Sequence, residues 1–166
     1  MRYLGIAILA LAASTAQAGL LDDISAAVSG HIDDFKSRSG PDQVLADATV
    51  LKSTRFRTDD PGQDLAHRGE GGLSLVEKGG VYFVQLAADV EISFAPDLVL
   101  YVSNDPMITD EGRFEATTQI EVGPLVKGKW ASFYALEGMT EADVLNLSSA
   151  TVWCQRFGEF MASADW

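Results

Sequence analysis

The chain has 166 residues, of which 24 are acidic and 12 are lysine or arginine, for a formal net charge of −12. An acidic surface of that strength repels phosphate backbones and anionic lipid, which disfavours nucleic-acid and membrane-surface binding. With a single cysteine, Cys154, no internal disulfide can form.

At the N-terminus, Arg2 precedes the uncharged apolar stretch Tyr3 to Ala13, and Ala16-Gln17-Ala18 has the small-x-small form that a signal peptidase reads. A cleaved signal peptide is predicted over residues 1–18. The apolar run is shorter than the roughly 20 residues a membrane span needs, so none is expected after cleavage. The expected mature chain starts at Gly19 and is exported to the periplasm or the medium. It is long enough for one domain with a proper core.

Leu20, Leu21, Ile24, Val28, Ile32 and Phe35 recur at helical spacing, with acidic residues between them. One amphipathic helix is predicted here, in an N-terminal segment over residues 19–45, ending near Ser39-Gly40-Pro41. Its acidic polar face favours packing over membrane attachment. From residue 46 to residue 166 the pattern becomes that of strands. Strands are predicted over Thr49 to Phe56, Leu73 to Val76, Val81 to Leu86, Val90 to Phe94 and Leu98 to Ser103. Glu77-Lys78-Gly79-Gly80 reads as a hairpin turn, and Asn104 to Gly112 as a loop. Further strands are predicted over Phe114 to Val122, Ala131 to Leu136 and Thr151 to Phe157, with a turn or short helix over Thr140 to Leu145. The fold class is all-β, an antiparallel β-sandwich or barrel-like domain preceded by the N-terminal amphipathic helix.

The common catalytic signatures are missing. Gly69-Glu70-Gly71-Gly72 lacks the spacing of a dinucleotide loop, and there is no His-Glu-x-x-His, Cys-x-x-Cys or Gly-x-Ser-x-Gly. What remains is Cys154 with His31, on the predicted helix, and His67, in a turn-rich stretch. A Cys-His pair would also need an oxyanion hole and a third orienting group, so a non-catalytic module is favoured over an enzyme. Strand alternation places Val152, Cys154 and Arg156 on one face, where the guanidinium would stabilise a thiolate. Trp153, Gln155 and Phe157 take the other face. A small buried hydrophobe is the alternative role for Cys154. Met107, Met139 and Met161 read as core gap-fillers before soft ligands.

Residues 46–166 resemble the DM-thirteen domain, an extracellular β-rich module associated with DOMON domains and proposed to act in electron transfer. The blocks that carry the resemblance begin with His67-Arg68-Gly69-Glu70-Gly71-Gly72-Leu73-Ser74-Leu75 and Phe94-Ala95-Pro96-Asp97-Leu98-Val99-Leu100-Tyr101-Val102-Ser103. Lys127-Gly128 with Phe133-Tyr134-Ala135-Leu136 follow, then Ser149 to Phe157 with its Trp153-Cys154 pair, and Phe160 to Ala164. Ala95 stands where the family usually has glycine, and Glu137-Gly138 where proline is common. The resemblance implies that Cys154 is the redox residue and that His67, Arg156 and Trp153 are candidate companions. It also implies a partner that is a separate exported redox protein. One thiol cannot run a two-thiol cycle, so the mechanism requires a partner thiol, a sulfenate, or a bound metal or haem held by Cys154, with His67 as the preferred second ligand. The alternative is a secreted binding or structural module with a buried, inert cysteine.

Overall fold

The computed structural model describes residues 45–125 and 132–166. The predicted signal peptide and N-terminal helix, including His31, lie outside the described residues, as do Lys127 and Gly128. In chain order the elements are β1 (Thr49–Arg55), β2 (Gly69–Glu70), β3 (Gly72–Lys78), β4 (Val81–Leu86), β5 (Glu91–Ile92), β6 (Leu98–Ser103), α1 (Glu111–Ala116), β7 (Ile120–Pro124), β8 (Ser132–Ala135), α2 (Glu141–Asn146), β9 (Ser149–Cys154) and β10 (Glu159–Asp165).

All strand pairings are antiparallel. One four-stranded sheet runs β1-β3-β4-β8, a second runs β10-β9-β6-β7, and β2 pairs with β5. Each of the larger sheets has two edge strands, so no closed barrel forms. The first sheet turns alternate side chains toward the core with the period of two that a pleated strand imposes, whereas β6 and β9 of the second are almost wholly buried. Leu73, Leu75, Val84 and Leu86 from the first meet Leu98, Leu100, Val102, Ala150, Val152 and Cys154 from the second in one apolar core. Burying each such aliphatic side chain stabilises the fold by about 1.5–3 kcal/mol.

The hairpin between β3 and β4 follows from its turn. Lys78 pairs with Val81 across Gly79 and Gly80, whose φ angles are +63° and +82°. Glycine reaches that region without a Cβ penalty.

Two expected strands are corrected. Phe114 is helical, because Asp110 caps α1 by accepting the Arg113 N–H at 2.9 Å; the strand that follows begins only at Ile120. The strand expected over Thr151 to Phe157 runs from Ser149 to Cys154 and then turns, with Gly158 at φ +68° and its N–H on the Cys154 carbonyl. The returning strand, β10, has no counterpart among the expected elements.

The second sheet is covered on its other face as well. There Trp153, Phe160, Phe114 and Ile108 form a separate apolar layer against which Tyr101 packs. The register between β9 and β10 shifts between Phe160 and Ala162, a bulge in the ladder. Strict alternation would put Phe160 and Ala162 on one face; the extra residue sends Phe160 to the aromatic layer and Met161 and Ala162 to the shared core.

Candidate functional site

Cys154 ends β9 and stands in register with Leu98 at the start of β6 and Glu159 at the start of β10. Its position between two neighbouring strands leaves it 1 % exposed. The approach to β6 passes directly over it: the thiol donates to the Pro96 carbonyl at 3.0 Å.

Asp97 turns the chain from Pro96 into β6 with φ +54°, a left-handed conformation that aspartate tolerates better than most residues. Its carbonyl accepts the Gln155 N–H at 3.0 Å. Its carboxylate pairs with Arg156 Nε at 3.2 Å, both side chains being about half exposed. The segment Pro96-Asp97 is therefore tied down over the sulfur by the thiol itself, by one backbone bond and by one surface ion pair.

Arg156 is thus placed differently from the strand alternation that put it beside the thiol. The strand has already ended, and Arg156 sits in the β9–β10 turn with its charge compensated by Asp97. Trp153 occupies the opposite face of β9 from Cys154. Its ring stacks on Phe114 with centroids 4.1 Å apart and planes 7° from parallel, and Phe114 meets Tyr101 edge-on at 5.2 Å.

His67 lies in a separate loop built around Asp64. That carboxylate accepts the N–H groups of Ala66 and His67, each at 2.7 Å, and the His67 ring at Nδ1 at 3.1 Å. Those backbone bonds hold Asp64 below the usual carboxylate range. An ionised carboxylate only accepts, so Nδ1 is the donor in this contact. His67 bonds to Asp64 and Cys154 to Pro96, so no hydrogen bond joins the two candidate ligands. Among the described residues no group of three or more His, Cys, Asp or Glu side chains is arranged to hold a metal ion.

The glycine-rich block beside His67 is a close backbone passage. A Cβ on Gly69 would meet Ala162 Cβ at 2.6 Å, and one on Gly71, at φ +107°, would meet Val90 Cα at 2.4 Å. These glycines let β2 and the start of β3 lie against β10 and the β4–β5 loop.

A family model described as "Electron transfer DM13" matches residues 63–166. The chain belongs to this family. The match runs from the loop of His67 through the glycine passage, the Pro96-Asp97 segment and the Trp153-Cys154 strand to the end of β10, so the surroundings of Cys154 and of His67 both lie within it, while β1 precedes it. No match is found among curated proteins or among solved structures.

Sequence reasoning singled out Cys154 and missed what covers it. Pro96 and Asp97 stood in a quoted block, but their contact with the thiol needs the β6–β9 register, which a linear reading does not supply. Tyr101 and Phe114 were missed as partners of Trp153 for a similar reason. The Asp110 cap was a legible helix-start signal that would have moved Phe114 out of a strand.

Proposed function

We propose that this DM13 domain is an exported redox accessory module of sandwich type in which Cys154 is the reversibly oxidised group and a separate exported protein is its electron partner. The observation that carries the reading is the polar, strand-end setting of the thiol. It is hydrogen-bonded to a carbonyl at the end of β9, under a short segment that a few weak bonds retain. Displacing Pro96 from the sulfur frees the thiol to ionise. The thiolate then attacks a disulfide of the partner, a mixed disulfide forms, and a partner thiolate leaves. Oxidation by a peroxide, giving a sulfenic acid and an alcohol or water, is the other balanced route open to a lone thiol.

The second reading, a binding or structural module, draws on the 1 % exposure of Cys154 and its place in the shared core. Reaction of the folded protein with a small aromatic disulfide, run beside Cys154→Ser, separates the two. The redox reading expects one equivalent of thiol released under native conditions and none from the variant. Reaction confined to denatured protein would assign Cys154 to the core alone. Elemental analysis and an absorption spectrum of the same pair test for a metal or haem held through the sulfur.

A further inference from the structure

The face of β9 opposite the thiol carries an arrangement that core packing does not require. Trp153 and Phe114 are closer than the 4.5–7 Å usual for aromatic pairs and lie nearly parallel. Phe114 then contacts Tyr101, whose ring leans on this layer while its hydroxyl reaches the surface. There the hydroxyl donates to Glu121 Oε2 at 3.3 Å and accepts from Gln155 Nε2 at 2.6 Å. Gln155 Nε2 also donates to the same Glu121 oxygen at 3.1 Å, closing a ring of three polar groups.

Tryptophan and tyrosine are the two side chains besides cysteine that lose a single electron most readily. A tyrosine does so cheaply only if a base takes its proton at the same time. Among the described tyrosines, Tyr101 alone has a carboxylate hydrogen-bonded to its hydroxyl. Tyr134 interacts through its hydroxyl with Ser132, and around Tyr82 the acidic groups Glu77 and Glu141 act only through their charge. Partial burial, aided by the Glu121 charge, raises the Tyr101 pKa, so the phenol remains protonated and has a proton to give.

We propose that Trp153, Phe114 and Tyr101 form a one-electron conduit along the outer face of the second sheet, with Tyr101 as its surface terminus and Glu121 as the acceptor of its proton. The step balances. A high-potential, metal-centred one-electron oxidant takes an electron from Trp153 and is itself reduced by one; the resulting Trp153 radical cation takes one electron from Tyr101 across the Phe114 ring, and the phenolic proton moves to Glu121. The products are neutral Trp153, a neutral Tyr101 radical and a protonated Glu121. A one-electron donor docked at the Tyr101 surface restores the phenol as the proton returns. The conduit rests on the electron-transfer reading of the domain but not on Cys154, which faces the other side of the sheet.

The test is flash photolysis with a ruthenium tris-bipyridine oxidant and an irreversible quencher, following tryptophan and tyrosyl radicals by transient absorption and by electron spin resonance. Wild type should show a tryptophan radical that decays as a tyrosyl radical grows. Tyr101→Phe keeps the ring and should lose that growth phase, with a longer-lived tryptophan radical. Glu121→Gln should slow the tyrosyl phase and change its solvent isotope effect. Melting curves establish that both variants are folded. Undiminished tyrosyl growth in Tyr101→Phe, or an unchanged rate in Glu121→Gln, would overturn the proposal. Cys154→Ser should leave the tyrosyl phase intact; its loss there would make the sulfur the radical carrier and refute the conduit while leaving the thiol reading standing.

Discussion

If Cys154 is reached by local opening, the cost of that opening can be worked from the three ties over the sulfur. The thiol–Pro96 bond and the Gln155–Asp97 backbone bond contribute about 1 kcal/mol each. The Arg156–Asp97 pair, about half exposed, contributes on the order of 0.5 kcal/mol. Together they set an opening free energy of about 2–3 kcal/mol, which slows thiol labelling roughly a hundredfold relative to the unfolded chain. Opening only by global unfolding, at about 5–15 kcal/mol, would slow it by roughly ten-thousandfold or more. Arg156→Ala removes one tie and should speed native labelling about twofold while leaving the melting temperature almost unchanged. Stopped-flow kinetics with a chromogenic disulfide, in water and in low urea, read both quantities. Protection that follows global stability, with a urea slope equal to that of unfolding and no response to Arg156→Ala, would refute the local route.

Gly71→Ala should destabilise the domain by on the order of 3 kcal/mol, because both its φ of +107° and the Val90 backbone oppose a Cβ. Gly79→Ala, at φ +63° with nothing within 4 Å, should cost only about 1 kcal/mol; urea melts compare the two. Arg57 donates to Asp60 at 2.7 Å, to Asp165 at 2.5 Å and to the Ile108 carbonyl at 2.6 Å, and Asp60 is nearly buried. Arg57→Ala should therefore cost about 3 kcal/mol by stranding that carboxylate, measured as a shift in the urea midpoint. Hydrogen bonds hold Asp64, Asp89, Asp110 and Asp143 below the ordinary value of 3.8, so the stability they supply is complete above that value and is lost as the pH falls through their lowered values. Burial raises Asp60 instead, so its contribution is complete below 3.8 and declines as the pH rises through its raised value. Asp60→Asn should flatten that decline in melts taken across mildly acidic pH.

The hairpin at Gly79-Gly80 was legible from sequence because its cause is local: two glycines between alternating strands fix both the turn and the register. The Phe94 to Ser103 and Ser149 to Phe157 blocks likewise marked β6 and β9, whose aliphatic and aromatic residues suit strands. β10 was not legible. Ala162, Ser163 and Ala164 have weak strand preference, and the strand exists because small side chains let it pack between two apolar layers. The companions of Cys154 depended on where a strand stops. Alternation from Cys154 to Arg156 is sound only while the strand lasts, and the left-handed Gly158 ends it in a turn. The site's cover, its ionic tie and its ring stack all come from register, which periodicity alone does not encode.

Antiparallel strands commonly keep one face wet, yet every residue of β9 is buried. Amides in such a strand exchange with solvent only when the whole domain opens, whereas those of the flanking turns exchange through small local fluctuations. Cys154 is the last residue before that change. Its backbone belongs to that buried strand, and the carbonyl over its sulfur belongs to the loop that leads into β6. If the local route holds, the same residue is fixed in position by the strand while access to its sulfur follows the motion of a loop.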